Sequence, residues 1–289
     1  MDALRHFTLI AEHGTFTRAA RHAHLSQPAL TASIRKLEGE MGAQLLHRDR
    51  TGTSLTAAGV ALLPRALAIL ASVEDARRAV AEVEGIHAGE VRLGAGATAC
   101  TYLLPPVLAE FRDRYPGVRF LLREATTSQV LDALARGELD LGVVTHAAGE
   151  PWRRDELILV ASPSLPLRAG AALPAPFVTF GRGSTTRELL DRHFPGAEVV
   201  MELGSIAAVK GNVRAGIGIA LVSRSAVATD LQLGRLVEVP HPETPVTRPL
   251  HIVHRGKERL PPAAAALRRL LLQHRGKRVA AGKGGAISA

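Results

Sequence analysis

The apolar positions change period along the chain, and the changes divide it. Over residues 1–56 they recur at helical spacing in short runs broken by polar turns. Leu4, Phe7, Ile10 and Ala11 precede Gly14, and GTFTRAARHAHLS then leads into a longer helix. Residues 57–86 read as one Ala-rich helix. In it Leu62, Ala66, Ile69, Val73, Ala76, Val80 and Val83 alternate spacings of four and three, an a/d seam that calls for a partner helix and assigns these residues to dimerisation. A helix lying on its own domain is the alternative. The seam stops at Gly85, and GIHAGE reads as a linker.

From Val91 onward apolar runs of strand length alternate with helical ones. Strands are expected at 91–94, 118–123, 141–144 and 157–161, with helices at 103–114 and 128–136. A second set gives strands at 177–180, 198–201 and 218–222, with helices at 185–194 and 205–215. Strands at 236–239 and 250–254 and a helix at 262–273 follow. This alternation argues for parallel sheets in an α/β architecture, and the two sets of roughly 75 residues argue for two doubly wound lobes. The expected division is residues 1–58, all helical with a wing, then a linker helix and hinge at 59–88, then a two-lobed domain at 89–275. Lobe I takes about 89–161 and 240–275, lobe II about 162–239, and 276–289 form a basic tail.

Composition refines this picture. With 46% hydrophobic residues in 289, the chain can bury a substantial core. The net charge of +9 invites a nucleic-acid reading, but residues 1–88 hold ten Lys/Arg against nine Asp/Glu, and residues 89–247 sixteen against seventeen. Residues 248–289 hold ten against one, so the excess sits in an end such as HRGKRVAAGKGG, which reads as a solvated extension. The single cysteine, Cys100, excludes an intrachain disulfide framework and fits a reducing compartment. No run is read as approaching the roughly 18–20 apolar residues of a membrane span. MDALRHFTLIAEHG lacks the layout of a signal peptide, so a cytoplasmic protein without membrane contact is expected.

The segment from Thr15 to Gly59 is the most informative. Thr15 or Thr17 can cap a short helix whose Ala19 and Ala20 allow a close crossing. Ser26 is a good N-cap, with Pro28 tolerated in the next helix's first turn. In that helix Leu30, Ile34 and Leu37 form an apolar back. The front shows Pro28, Thr31, Ala32, Arg35 and Lys36, with Gln27 and Ser33 at its margins. A front of short polar and basic side chains fits a DNA major groove, and LLHRDRTGTSL reads as a two-stranded wing with Arg48 and Arg50 placed for phosphates. A helix-turn-helix used only for protein contacts is the alternative.

These residues resemble the LysR-type transcriptional regulators. The resemblance rests on Phe7, the run Gly14 to Ala20, Leu25-Ser26-Gln27-Pro28-Ala29-Leu30, Ile34, Leu37-Glu38, Gly42, Leu45-Leu46, Arg48 and Leu55 to Gly59, all at the family's spacing. It runs on through the seam helix and both lobes, over about residues 1–272. It implies a winged helix-turn-helix, a dimerising linker helix and a periplasmic-binding-protein-like effector domain, in a homotetramer built as a dimer of dimers. The implied partners are double-stranded promoter DNA and a small-molecule effector, with RNA polymerase a further candidate. By carry-over Ser26, Gln27, Pro28 and Thr31 meet DNA, Arg18, Arg48 and Arg50 its backbone, and Arg35 and Lys36 complete the face. Where many members carry Arg-Gln, this chain has Ala32-Ser33. The change removes a contact worth roughly 1–3 kcal/mol of base discrimination and makes Arg35 the candidate replacement.

VRLGAGATAC at 91–100 also matches a dinucleotide fingerprint, with Glu124 near a ribose-binding position. Pro105-Pro106 would break a helix begun at Gly96, so the helix should start near Leu103–Pro105 and leave 96–101 as a loop at a strand's carboxyl end. In the family such a loop lines the effector cleft. The resemblance assigns Thr98 and Thr127 to effector binding from the first lobe, and Ser184, Thr185, Thr186, Arg187 and Ser205 from the second. For Ser184 simple N-capping is the alternative, and for Arg187 an ion pair. Helix starts bearing hydroxyls favour an anion. The GSTTR and MELGSIAAVK segments resemble a branch linked to carbon fixation and sulfur metabolism, which implies a phosphorylated metabolite or an inorganic sulfur anion.

Cys100 has no base placed beside it and reads as a small buried residue. The histidines, His22, His24, His251 and His254 among them, are not spaced as ligands, so no metal, cofactor or catalytic residue is assigned. The expected function is a ligand-responsive DNA-binding regulator. The rivals are a small-molecule-binding protein that does not read an operator and a nicotinamide-dependent enzyme.

Overall fold

The computed structural model describes residues 1–49, 52–83, 89–145, 149–167, 173 and 175–276, with the side chains of residues 48, 49, 75, 78, 79 and 81–83 outside the description. Helix α1 (Asp2–His13) ends at Gly14, whose φ of 69° is a left-handed cap. Thr15 caps α2 (Phe16–His22), and Ser26 caps α3 (Gln27–Met41) by accepting from the Ala29 N–H at 3.3 Å. Phe7, Ile10, Phe16, Ala19, Leu30, Ile34 and Leu37 close one apolar core. Strands β1 (Leu46–Asp49) and β2 (Gly52–Leu55) pair antiparallel as a wing, held to the α1–α2 turn by the Thr53 N–H donating to the Gly14 carbonyl at 2.8 Å.

Helix α4 (Ala57–Val83) carries Pro64 inside it and corrects two expectations. The seam is not wholly reserved for a partner helix. Leu62 and Ala66 pack into the amino-terminal core, while Ile69, Val80 and Ala76 stand exposed and Val73 half-buried. The side chain of Val83 lies outside the described residues. The second correction concerns hydropathy. Ala57–Glu74 is a helical window of 18 residues with mean hydropathy 1.6, long and apolar enough to cross a membrane by length and composition. Alanine and leucine raise that figure, and the inward part of the window serves the amino-terminal core.

The rest of the chain builds two lobes on shared strands. Lobe I runs β3 (Glu90–Ala95), a π-turn (Ala99–Leu103), α5 (Pro105–Arg114), β4 (Arg119–Glu124), α6 (Thr127–Ala135) and β5 (Leu141–Val144). The long β6 (Glu150–Ala161) crosses into lobe II, which adds β7 (Phe177–Phe180), α7 (Thr185–His193), β8 (Val199–Leu203), α8 (Ile206–Arg214), β9 (Ala220–Ser223), α9 (Arg224–Gln232) and β10 (Val237–Glu238). β11 (Val246–Val253) then returns to lobe I, and a 3-10 turn (Lys257–Arg259) and α10 (Pro262–Gln273) finish it.

The sheets are mixed, not purely parallel. β3 pairs parallel with β4 and β5, and β7 with β8, but β6 pairs antiparallel with β9, β10 and β11. β6 and β11 begin earlier than their apolar patterns suggest because each continues through the junction between lobes, where Arg153, Asp155 and Arg248 interrupt the pattern yet are buried. Helix α9 was not expected, and a π-turn occupies 99–103 where a loop was. Pro105 and Pro106 open α5, where their missing N–H groups cost nothing.

Helix α10 is fastened to β6 by one carboxylate. Glu150 accepts from Arg268 Nε and His254 Nε2, each at 2.9 Å, and hydrogen bonding from Arg268 is the largest cause lowering its pKa from 4.5 to about 2. A depressed carboxylate stabilises fully above pH 4.5, and that contribution is lost as pH falls toward 2. Glu150→Gln should therefore unfold at lower denaturant than wild type at neutral pH, with the gap closing toward pH 2. A gap that stays constant on acidification would remove this fastening role.

Candidate functional site

Two sites emerge. On α3, Ser26, Gln27, Pro28, Arg35 and Lys36 are exposed and Thr31 half-buried, while the opposite face is buried against α1 and α2. Gln27, Pro28, Thr31, Ala32 and Arg35 line one shallow concavity. Arg18 is exposed on α2, and among the described residues no ion pair engages Arg18, Arg35 or Lys36. Ser33 points away from that front: its hydroxyl bonds His6 Nδ1 at 2.7 Å and ties α3 to α1. Arg50 and the Arg48 side chain lie outside the described residues, although the Arg48 backbone pairs with Thr53 in the wing.

The second site is a cleft of about 460 Å³ between the lobes. Four elements bring their amino-terminal ends to it: Thr98 before the π-turn, Thr126 and Thr127 at α6, Ser184 and Thr185 at α7, and Gly204 and Ile206 at α8. Unpaired N–H groups at such ends favour negative charge. Thr126 rather than Thr127 is the cap of α6, in a reciprocal box with Gln129. Ser184 caps α7 by accepting from the Arg187 N–H at 3.2 Å and lines the cleft as well.

Arg248, on β11 at the cleft floor, is the residue that sequence reasoning missed. It is 6% exposed, and its guanidinium donates to Thr98 Oγ1 and Thr186 Oγ1, each at 3.1 Å, and to Asp155. Asp155 also accepts from the Ser223 hydroxyl at 2.6 Å. One cation thus joins a lobe I hydroxyl to a lobe II hydroxyl. Arg248 Nε finds no hydrogen-bond acceptor among the described residues. The only other guanidinium lining the cleft among the described residues is Arg182, exposed on the β7–α7 turn.

Two assignments do not reach the cleft. Arg187 is buried and held by Asp191 at 2.8 Å and by Glu202, so it faces the outer side of lobe II. These carboxylates raise its pKa, Glu202 most. Asp191, four residues on in the same helix, was a legible signal for that ion pair. Ser205 spends its hydroxyl capping α8, at 3.2 Å from the Ala208 N–H, and does not line the cleft.

The glycine turn resolves on packing. A Cβ on Gly94 would sit 2.4 Å from Leu139 Cδ1, so that glycine lets α6 and its loop pack on β3, while Gly96 has open space at the cleft. Cys100 donates to the Ala95 carbonyl at 3.3 Å, and burial, then Glu124, raises its pKa to about 11. It is a protonated thiol, without the low pKa that nucleophilic use requires.

Two family models match at this point. One, bacterial regulatory helix-turn-helix protein, lysR family, covers residues 1–60, and the other, LysR substrate binding domain, covers residues 84–276. The chain belongs to the LysR family of transcriptional regulators. It is 35% identical over 280 residues to YeiE, an HTH-type transcriptional regulator of Escherichia coli, covering 92% of this chain and 93% of YeiE. It is 32% identical over 273 residues to a probable RuBisCO transcriptional regulator of Cyanidioschyzon merolae, covering 87% and 90% of the two chains. The fold matches ArgP from Mycobacterium tuberculosis with a TM-score of 0.69 at 20% identity, over 96% of this chain and 99% of that one. This LysR-family chain therefore has a DNA-reading helix-turn-helix and an effector-binding domain.

Arg187→Met in this regulator should lower stability by roughly 1–3 kcal/mol, since it removes charge-assisted hydrogen bonds. Arg182→Ala should leave stability within about 0.5 kcal/mol. Denaturant titration checks both, and equal losses would put Arg182 in the folded framework.

Proposed function

We propose that this regulator senses a small anionic effector in the interlobe cleft and answers by changing how two or more copies sit on promoter DNA. The observation that carries the reading is Arg248. A cleft whose floor cation already joins Thr98 of lobe I to Thr186 of lobe II changes shape when a ligand competes for those hydroxyls. Arg182 at the rim and the amino-terminal ends of α6 and α7 supply the positive potential an anion needs. Thr98, Thr127, Ser184, Thr185 and Thr186 are the hydroxyl contacts, and Arg248 and Arg182 take the role first given to Arg187. The similarity to a probable RuBisCO regulator favours a phosphorylated metabolite of carbon assimilation as the effector.

On the DNA side, Gln27, Pro28 and Thr31 read bases, while Arg18, Arg35, Lys36, Arg48 and Arg50 meet phosphates or guanines. The exposed Ile69, Ala76 and Val80 of α4, with the half-buried Val73, pair with the same helix of a second copy, and two such pairs make a dimer of dimers. RNA polymerase is a further partner in the cytoplasm. A ligand shifts such an assembly only by the difference between its affinities for the two arrangements.

Selection of genomic fragments by the purified protein, followed by sequencing, should enrich dyad-symmetric sites. Salt-sensitive binding with no preferred site would defeat the operator reading. Gln27→Ala should reduce preference for the selected site over random DNA, whereas Arg18→Ala should weaken both alike and flatten the salt slope by about one. Thr98→Val should abolish the response to an anionic effector while leaving DNA affinity intact, and an unchanged response would remove Thr98 from the site.

A further inference from the structure

At the hinge, along β6 and β11, lies a second cavity of about 770 Å³, with a lining that shares only Leu250 with the interlobe cleft. A β-bulge makes it. Cα pairing runs Leu250 with Arg153 and then His251 with Pro151, which leaves Trp152 as an extra residue in β6. Successive strand residues normally face opposite ways, and a bulge re-aims them. Here Trp152 and Arg153 both line the cavity and both are buried, at 2% and 9% exposure.

Three buried nitrogens in this wall have no hydrogen-bond partner among the described residues: Trp152 Nε1, Arg153 Nε and His251 Nδ1. The Arg153 guanidinium lies 4.8 Å from the Trp152 ring and forms no ion pair among the described residues. Burial without a facing carboxylate lowers its pKa. Arg154 and Arg275 are exposed at the rim. The two carboxylates in the wall are already engaged, Asp155 by Arg248 and Glu156 by Arg224. A buried guanidinium left without an acceptor is costly, and a ligand that supplies one recovers that cost. Leu103, Leu250 and Ala228 complete the wall with apolar surface.

We propose that this cavity is a second ligand site, for an organic anion whose carboxylate or phosphate is bound by Arg153 and the Trp152 N–H and whose apolar body lies against Leu103 and Leu250. It is separate from the interlobe cleft yet coupled to it, because Asp155 lines this cavity while holding Arg248 of the cleft floor, and Leu250 borders both. A ligand here biases the effector cleft, and an effector biases this site by the same factor.

The chain has one tryptophan, so its fluorescence reports on this wall. The full chain titrated with phenyl phosphate, phenylacetate and inorganic phosphate should show a saturable change with at least one organic probe. Tighter phenyl phosphate marks a phosphate site, and tighter phenylacetate a carboxylate site. Arg153→Met should weaken that binding at least tenfold, and Arg182→Ala in the cleft should leave it unchanged. If Arg153→Met does not fold, the doubly substituted Arg154→Ala, Arg275→Ala chain, altered only at exposed residues, should weaken it at least threefold. The proposal is overturned by no saturable change with either organic probe, by inorganic phosphate binding as tightly as both, or by Arg153→Met, or in its place the Arg154→Ala, Arg275→Ala chain, titrating like wild type.

Discussion

Arg248 and Asp155 face each other directly across β11 and β6, in the stretch where those strands pass from one lobe to the other. Their side chains are 7% and 1% exposed, and burying two opposite charges costs more than their attraction returns unless the remaining lone pairs and protons are satisfied. Here the satisfying groups come from three other elements. Thr98 belongs to the loop after β3, Thr186 to the first turn of α7, and Ser223 to the end of β9. The lobes are thereby set against one another by polar groups that also form the cleft floor. Stabilising the hinge and building the cleft floor use the same atoms.

That economy explains which parts of the site were legible in the sequence. Caps followed by helical periodicity mark the starts of α6 and α7, but it is the family resemblance that assigns Thr98, Thr127, Ser184, Thr185 and Thr186 to a ligand, and the Thr98 side chain makes no cap hydrogen bond. Arg248 sits in mid-strand inside VTRPLHIV, where nothing local separates a buried hinge arginine from an exposed one. Its partners are 62, 93 and 150 residues away in sequence. Arg187 is the opposite case, because it stands at a helix start while Asp191 at i+4 on the same helix holds its guanidinium. Glu202, its other partner, was reachable only through the packing of α7 on β7 and β8.

The fold shows the same division. Local chemistry set the ends of most elements: Pro262 opens α10, Gly14 and Gly42 close α1 and α3, and the proline pair opens α5. The errors fell where tertiary demand overrides pattern. β6 and β11 carry charged residues through the hinge and so lose the apolar signature over half their length. α9 has little amphipathic contrast and follows a serine that caps it. The seam of α4 was read as one interface because its spacing is uniform, yet Leu62 and Ala66 belong to the helix's own domain and Ile69 to Val80 do not.

α4 also bears on how the cleft and the DNA-reading face can communicate within one chain. α6 begins at Thr126 and Thr127 in the cleft and ends beside Gly137, where a Cβ would come within 2.3 Å of Ala71 Cβ on α4. Gly137 has φ +73°, so both its conformation and the absence of a side chain allow this approach. Ala71 is 3% exposed there, and α4 lies at the same time against α1 and the wing. A nine-residue helix is about 13 Å long and stiff on that scale. Tilting its cleft end therefore moves its far end against α4, the helix whose inner residues are part of the DNA-binding core. Ala71 and Gly137 have no rotamer to change, and of the groups nearest that position only the Arg255 guanidinium, at 3.3 Å, can swing aside. The contact must either transmit the displacement or separate.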